Sequence, residues 1–203
     1  MTEKLPILYD HYKDTCSVIG ESVKRRDRLM LYVLLLLSLF SIETLFPSAS
    51  SAAISGFLKL KYGFALHFDL SALGNVVWFL LLIFTLRYFQ VAVFVERQYL
   101  YIHGIEETLN TEFGDDIITR EGKFYLHNYP AFSTWMWGLY TIIFPTLLLI
   151  VSAVKITGEL CAALSNGWSF ALLLDAIAFI LLTISTALYL MVLHRKGKKG
   201  HGV

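Results

Sequence analysis

Four long apolar runs constrain this chain more than any other feature of its sequence. They cover residues 29–47, 71–95, 132–154 and 168–193. A helix rises about 1.5 Å per residue, so about 20 apolar residues cross the hydrocarbon core of a bilayer. Backbone groups in lipid must be hydrogen-bonded within helices or closed barrels, and these runs lack the alternation of barrel strands. The sequence therefore predicts an all-α membrane protein built on a four-transmembrane-helix bundle.

The low charge of the chain supports this prediction. Only 16% of its residues are charged and the mean hydropathy is +0.60, whereas about a quarter of the residues of a typical soluble domain are charged. Lys plus Arg number 17 and Asp plus Glu number 16, so no excess of positive charge favours direct nucleic-acid binding. We expect the lipid bilayer to be the principal surrounding of the chain.

The basic residues predict how the bundle is oriented, because Lys and Arg collect in short cytoplasmic flanks. Those on one side are Lys24, Arg25, Arg26 and Arg28 before the first run, Arg87, Arg97, Arg120 and Lys123 around or after the end of the second, and Arg195, Lys196, Lys198 and Lys199 after the fourth. The other side has only Lys59, Lys61 and Lys155. This asymmetry predicts a multi-pass protein of the inner (plasma) membrane with both termini in the cytoplasm.

The runs and their flanks divide the chain into nine segments. They are a cytoplasmic amphipathic arm (1–28), TM1 (29–47), an outer loop (48–70), TM2 (71–95), a cytoplasmic helix extension with a small hairpin (96–131), TM3 (132–154), a second outer loop (155–167), TM4 (168–193) and a basic cytoplasmic tail (194–203). An alternative interpretation takes KRRDR, the first run and SASSAA as a secretory signal. The length of that run, its Glu43 and the preceding arm favour a retained span.

The two cytoplasmic arms each have an apolar stripe. In the extension of TM2, Val95, Gln98, Ile102, Ile105 and Leu109 recur at threes and fours, which is the spacing of a coiled-coil seam. The N-terminal arm has a similar stripe and is expected to continue unbroken into TM1. We therefore predict a cytoplasmic stalk formed by the two arms, with these five residues as its interaction surface.

Ionisable residues inside the apolar runs are the candidate functional residues, because a charge at the bilayer centre costs about 2.5–3.5 kcal/mol on insertion scales. Asp175 lies well inside TM4, Glu43 near the outer end of TM1, and Arg87 near the inner end of TM2. Arg87 and Glu43 are close enough to the ends to reach water. Asp175 either lines an ion pathway or gate, or forms structural hydrogen bonds with polar groups such as Ser38, Ser41, Asn75 or Thr141.

The sequence contains none of the catalytic motifs that we sought, including a phosphate-binding glycine loop, HExxH, paired CxxC and a nucleophile elbow. His103 and Glu107 have metal-ligand spacing, but two ligands do not make a site, so a solvated helix face is the better interpretation. We expect no enzymatic activity, no cofactor and no metal.

The segments LYDHYKDT...KRRDRLMLYV and ERQYLYIHGIEETLN, with the overall layout, resemble the small four-span membrane proteins of bacterial anti-phage defence loci. The resemblance implies a membrane effector that perturbs membrane integrity or potential when a cytosolic partner from the same locus triggers it. Four spans enclose little space, so a pore would lie between protomers of a homo-oligomer. The alternatives are a non-conducting sensor or scaffold that recruits a cytosolic protein, and a membrane enzyme acting on lipid.

Overall fold

The computed structural model describes residues 4–63, 70–114 and 131–197, and within these ranges the backbone forms helices and no strand. The helices are α1 (Lys4–Leu45), α2 (Pro47–Tyr62), α3 (Leu70–Phe113), α4 (Ala131–Gly138), α5 (Phe144–Asn166) and α6 (Phe170–Gly197). Four helical segments of this part of the chain are long and apolar enough to cross a membrane, namely Leu5–Leu45, Gly74–Phe113, Leu139–Ser165 and Phe170–Leu193. The predicted all-α membrane-type bundle is confirmed, while the predicted hairpin lies outside the described residues.

The helices α1 and α3 are much longer than a bilayer is thick. They contain 42 and 44 residues, and at about 1.5 Å per residue each is roughly twice as long as the hydrocarbon core. The two helices pack against each other more extensively than any other pair. We call residues 4–28 of α1 and 96–113 of α3 the stalk. The ends of the bundle are then the stalk end and, opposite it, the α2 end.

A π-helical turn, Leu139–Ile143, joins α4 to α5. Its cause is Pro145 in the first turn of α5, because proline has no N–H to donate and its ring clashes with the carbonyl four residues earlier. That carbonyl belongs to Thr141, inside the wide turn. The turn relieves the clash without ending the helix, so α4 and α5 continue as one long helical element. The π-helical turn lies at the stalk end of this element.

The third long helix ends later than the sequence predicted. Residues 155–167 were expected to form an outer loop, but α5 continues to Asn166. Gly167 ends the helix with a φ of 88°, a conformation that glycine adopts without strain. The connection to α6 is therefore only residues 167–169, and the Ser169 hydroxyl accepts a hydrogen bond from the Leu172 N–H at 3.2 Å, as helix N-cap residues do. The prediction of a second outer loop at 155–167 was wrong.

The interior of the bundle is held by aromatic contacts at both ends. At the α2 end, the rings of Phe40 and Trp78 meet edge to face with centroids 4.9 Å apart. At the stalk end, Phe89 stacks on Tyr189 at 4.2 Å, and Tyr88 meets Phe144 at 5.7 Å. Because edge-to-face and offset pairs have preferred geometries, these contacts fix the register of α3 against α1, α5 and α6.

Candidate functional site

Four ionisable side chains meet near the α2 end of the bundle. The Lys155 ammonium lies 2.9 Å from Glu159 Oε1 and 3.8 Å from Asp175 Oδ2. Glu43 interacts electrostatically with Lys155 and Glu159, and Asp175 interacts with Glu43. The side chains of Lys155 and Asp175 are only 11% and 7% exposed. We call Glu43, Lys155, Glu159 and Asp175 the ionic cluster.

Three helices position the ionic cluster. Lys155 and Glu159 lie one turn apart on α5 and therefore share a helix face. The short connection after α5 makes α6 its antiparallel neighbour, which brings Asp175 in the second turn of α6 beside them. Glu43 comes from the last turn of α1. The cluster thus depends on packing between helices that are far apart in sequence.

Two aromatic rings form one wall of the cluster. The Lys155 ammonium lies 5.3 Å from the centre of the Trp78 ring and 5.8 Å from that of Phe40. Both rings are almost completely buried. An ammonium over an aromatic face is attracted by the ring quadrupole, and the attraction is stronger where water is excluded. Lys155 is therefore held by carboxylates on one side and by π-electron density on the other.

Gly74 makes room for Glu43. A Cβ atom built on Gly74 would overlap the Glu43 carboxylate. Gly74 is itself buried, near the start of α3. Any larger residue at this position would have to displace the Glu43 side chain, so the absence of a side chain at position 74 is what admits the third carboxylate to the cluster.

The ionic cluster contains three carboxylates and one ammonium. Burying ionised groups is costly unless each finds an opposite charge or hydrogen-bond partners. Four titratable groups of both signs, close together and mostly out of water, can exchange protons among themselves and attract a small cation. Chemically, the cluster is suited to holding or passing positive charge.

The structure brings together two of the three ionisable candidates predicted from the sequence. Asp175 and Glu43 belong to the ionic cluster, whereas Arg87 is exposed on α3 and donates to Gln90 Oε1 at 3.0 Å. Of the partners considered for Asp175, the hydroxyls of Ser38 and Ser41 donate to carbonyls of their own helix, those of Leu34 and Leu37.

Lys155 and Glu159 were missed as members of the site. In the sequence, their charges mark the end of the third apolar run, and Lys155 is one of the outer flanking basic residues. The i, i+4 spacing of an acid and a base in LIVSAVKITGEL was the signal that could have identified them. It predicts that the helix continues past residue 154 with one mutually compensated pair on its face.

The predicted stalk interaction surface is buried within the chain. Val95, Ile102, Ile105 and Leu109 are at most 6% exposed, and Gln98 is partly buried. Because these side chains are covered within the protomer, its surface does not present them to a partner. The apolar seam instead stabilises the stalk itself.

Two polar contacts tie α1 to α3 in the stalk. The Tyr12 hydroxyl donates to Glu106 Oε1 at 2.9 Å, and His11 Nε2 lies 2.8 Å from the Tyr101 hydroxyl. Burial, together with the contact to Glu106, raises the pKa of Tyr12, so its hydroxyl remains a donor. These contacts set the register of the two helices, since each joins residues about 90 positions apart in sequence.

Comparison of the chain with protein-family models, with curated proteins and with solved structures gives no match. The ionic cluster and the stalk are the two features of the molecule on which we base a proposed function.

Proposed function

We propose that this chain is a multi-pass effector of a bacterial defence system, which changes the ion permeability or potential of the inner membrane when a cytosolic partner acts on its stalk. Both termini then lie in the cytoplasm, and the ionic cluster lies toward the outer side. The distribution of Lys and Arg along the sequence supports this orientation. The protein acts as a homo-oligomer in this proposal.

The single observation that carries the proposal is the ionic cluster. Lys155 and Asp175 are 3.8 Å apart and nearly inaccessible, inside a bundle whose helices are otherwise apolar enough to cross a membrane. Ionisable residues in such helices are costly and commonly belong to ion pathways, proton relays or voltage sensors. Helices that only need to pack against one another do not require ionised residues, because small and weakly polar residues are sufficient and cost less free energy to bury.

The second candidate is a non-conducting sensor or scaffold, and one observation favours it. The stalk exposes large apolar side chains, among them Leu100 at 57%, Tyr101 at 52% and Phe113 at 42%. Exposed apolar groups on a segment outside the membrane are typical of protein contact sites. The same surface would receive the trigger in an effector, so the two candidates differ in whether the bundle changes membrane permeability.

The deciding experiment follows membrane potential in bacteria that express the chain from its own locus during phage challenge. We expect a collapse of potential with the native chain, and its loss with Asp175→Asn, which removes a charge from the ionic cluster. The matched control is Lys61→Gln, because Lys61 is a charged residue on the exposed face of α2. Immunoblotting of membranes verifies equal amounts of each variant.

Full protection against phage with an unchanged potential would refute the effector proposal and favour the sensor. A collapse of membrane potential that persists with Asp175→Asn at normal protein levels would show that the activity does not depend on the ionic cluster.

A further inference from the structure

Three fully buried hydroxyl groups in the bundle lack the partner that such groups normally have. Thr85 on α3, Ser152 on α5 and Thr186 on α6 have no exposed surface, and their hydroxyls have no hydrogen-bond partner in the part of the chain that the structure describes. By contrast, Thr146 and Thr183 donate to carbonyls four residues earlier in their own helices. Buried polar groups without partners are rare and commonly mark the place of ordered water or an ion.

The Ser152 hydroxyl belongs to the same helix face as Lys155 of the ionic cluster. On α5, Lys155, Ser152, Leu148 and Phe144 follow one another at spacings of three and four residues, so they form one stripe along the helix. Lys155 is at the α2 end, while Phe144 contacts Tyr88 at the stalk end. Ser152 is thus one turn from the ammonium group, on the side toward the centre of the bundle.

The other two hydroxyls lie beside a pair of tyrosines at the stalk end. Thr85 precedes Tyr88 by one turn on α3, and Thr186 precedes Tyr189 by one turn on α6. The side chains of Tyr88 and Tyr189 interact, with ring centroids 6.5 Å apart, and we call these residues the tyrosine pair. Each threonine is therefore one turn from the tyrosine pair.

The tyrosine pair leads to charged residues at the edge of the stalk. Tyr88 interacts electrostatically with Arg26 and Asp27, and Tyr189 with Arg26 and Glu96. The side chains of Arg26 and Asp27 are 36% and 62% exposed, so this end of the polar series reaches solvent. At the other end, Glu159 of the ionic cluster is 30% exposed.

Each of the three helices has a buried leucine one turn from its buried hydroxyl. Leu81, Leu148 and Leu182 come from α3, α5 and α6, and each is at most 1% exposed. Leu81 and Leu182 lie one turn from Thr85 and Thr186 toward the α2 end, and Leu148 lies one turn from Ser152 toward the stalk end. We call these three residues the leucine layer. Hydrophobic constrictions of this kind close channels by excluding water.

We propose that the interior of each bundle is a proton path, which runs from the ionic cluster past the three buried hydroxyls to the tyrosine pair, and that the leucine layer is its closed gate. This inference rests on the proposed function and assigns its pathway to one protomer rather than to a space between protomers. One proton enters at one end for each that leaves at the other, and the charge moved is balanced by a counter-ion.

Protons fit this interior better than metal ions do. A hydrated ion needs an open channel, whereas the leucine layer and the neighbouring core are tightly packed. A proton needs only a file of hydrogen-bonding groups and single waters, and a hydroxyl serves because it both donates and accepts. When the leucine layer admits water, the three hydroxyls and the tyrosine pair complete such a file.

The test uses full-length protein reconstituted in vesicles that contain a pH-sensitive dye, with a potassium gradient and valinomycin to drive protons inward. We expect Leu148→Ser and, independently, Leu182→Ser to raise the resting proton flux about tenfold, the factor that one added hydrogen bond to a water in the layer supplies. The matched controls are Leu147→Ser and Leu181→Ser, whose native side chains are 48% and 46% exposed. These controls should leave the flux unchanged.

A second step tests the hydroxyls themselves. Thr85→Val keeps the shape of the side chain and removes its hydroxyl, so in the Leu148→Ser background it should lower the raised proton flux several-fold. Only variants whose elution and melting in detergent match the native chain enter the comparison.

The proposal is overturned if both leucine-layer variants keep the native proton flux, if the exposed-leucine controls raise it equally, or if potassium leaks as fast as protons from vesicles without valinomycin. In each of these cases a collapse of potential in cells would still support the proposed function, with its pathway lying between protomers. An unchanged potential in cells, together with a raised flux in vesicles, would support the proton path and refute the proposed effector role.

Discussion

Replacing Lys155 by methionine tests whether the ionic cluster is bound together as the structure indicates. The variant keeps a side chain of similar length and removes the only ammonium that contacts Glu159 and Asp175 in the described part of the chain. At 3.8 Å and an effective dielectric constant of about 20, the attraction between Lys155 and Asp175 amounts to about 4 kcal/mol. This agrees with the cost of about 3–5 kcal/mol for removing one partner of a buried pair.

The assay is unfolding in mixed micelles with increasing SDS, followed by tryptophan fluorescence, to which buried Trp78 beside the cluster contributes. We expect Lys155→Met to lower the free energy of unfolding by about 4 kcal/mol. In combination with Asp175→Asn the loss should be smaller than the sum of the two single losses, by about 2–3 kcal/mol. Lys61→Met is the control because Lys61 also lies over a ring, that of Phe57, but is exposed.

A coupling energy below about 0.5 kcal/mol would mean that the two residues act independently. The reasoning from the 3.8 Å distance would then be refuted. If Lys61→Met lowered the free energy of unfolding as much as Lys155→Met, the assay would be responding to the loss of any lysine rather than to the loss of a buried one.

Two further predictions concern Gly74 and the stalk. Gly74→Ala should gain about 1 kcal/mol of helix propensity only in a Glu43→Ala background, because in the native chain the new methyl group displaces the Glu43 carboxylate; equal effects in the two backgrounds would contradict the close approach. Ile102→Asp should cost more than about 3 kcal/mol and expose the stalk to limited proteolysis, since Ile102 is completely buried. Leu100→Asp, at a position 57% exposed, should leave the digestion pattern native, and similar digestion of both variants would contradict the packing of the stalk.

The helical architecture could be predicted from the sequence because membrane-length apolar runs leave few structural choices. The continuous helices α1 and α3 followed from stripes that continue beyond the runs. The end of α5 could not be placed in this way. Hydropathy alone treats Lys155 and Glu159 as the start of a loop, although each neutralises the other one helical turn away.

The candidate site was only partly predictable for a related reason. A single sequence identifies Asp175 as costly in an apolar helix, but its partners come from α5 and α1, and periodicity carries no information on which helices are neighbours. The wall formed by Phe40 and Trp78 depends on the same packing. For the stalk, the stripe that contains Ile102 was correctly identified as apolar. The sequence alone could not show whether this stripe packs against α1 of the same chain or against a second chain.

The unbroken course of α1 has a mechanical consequence. Tyr12 and Glu43 belong to the same 42-residue helix, about 46 Å apart along its axis, with no break between them. A continuous helix transmits a displacement or rotation from one end to the other, because it contains no hinge at which the movement could be absorbed. A partner that binds α1 near Tyr12 and moves it therefore also moves the Glu43 carboxylate at the other end of the helix.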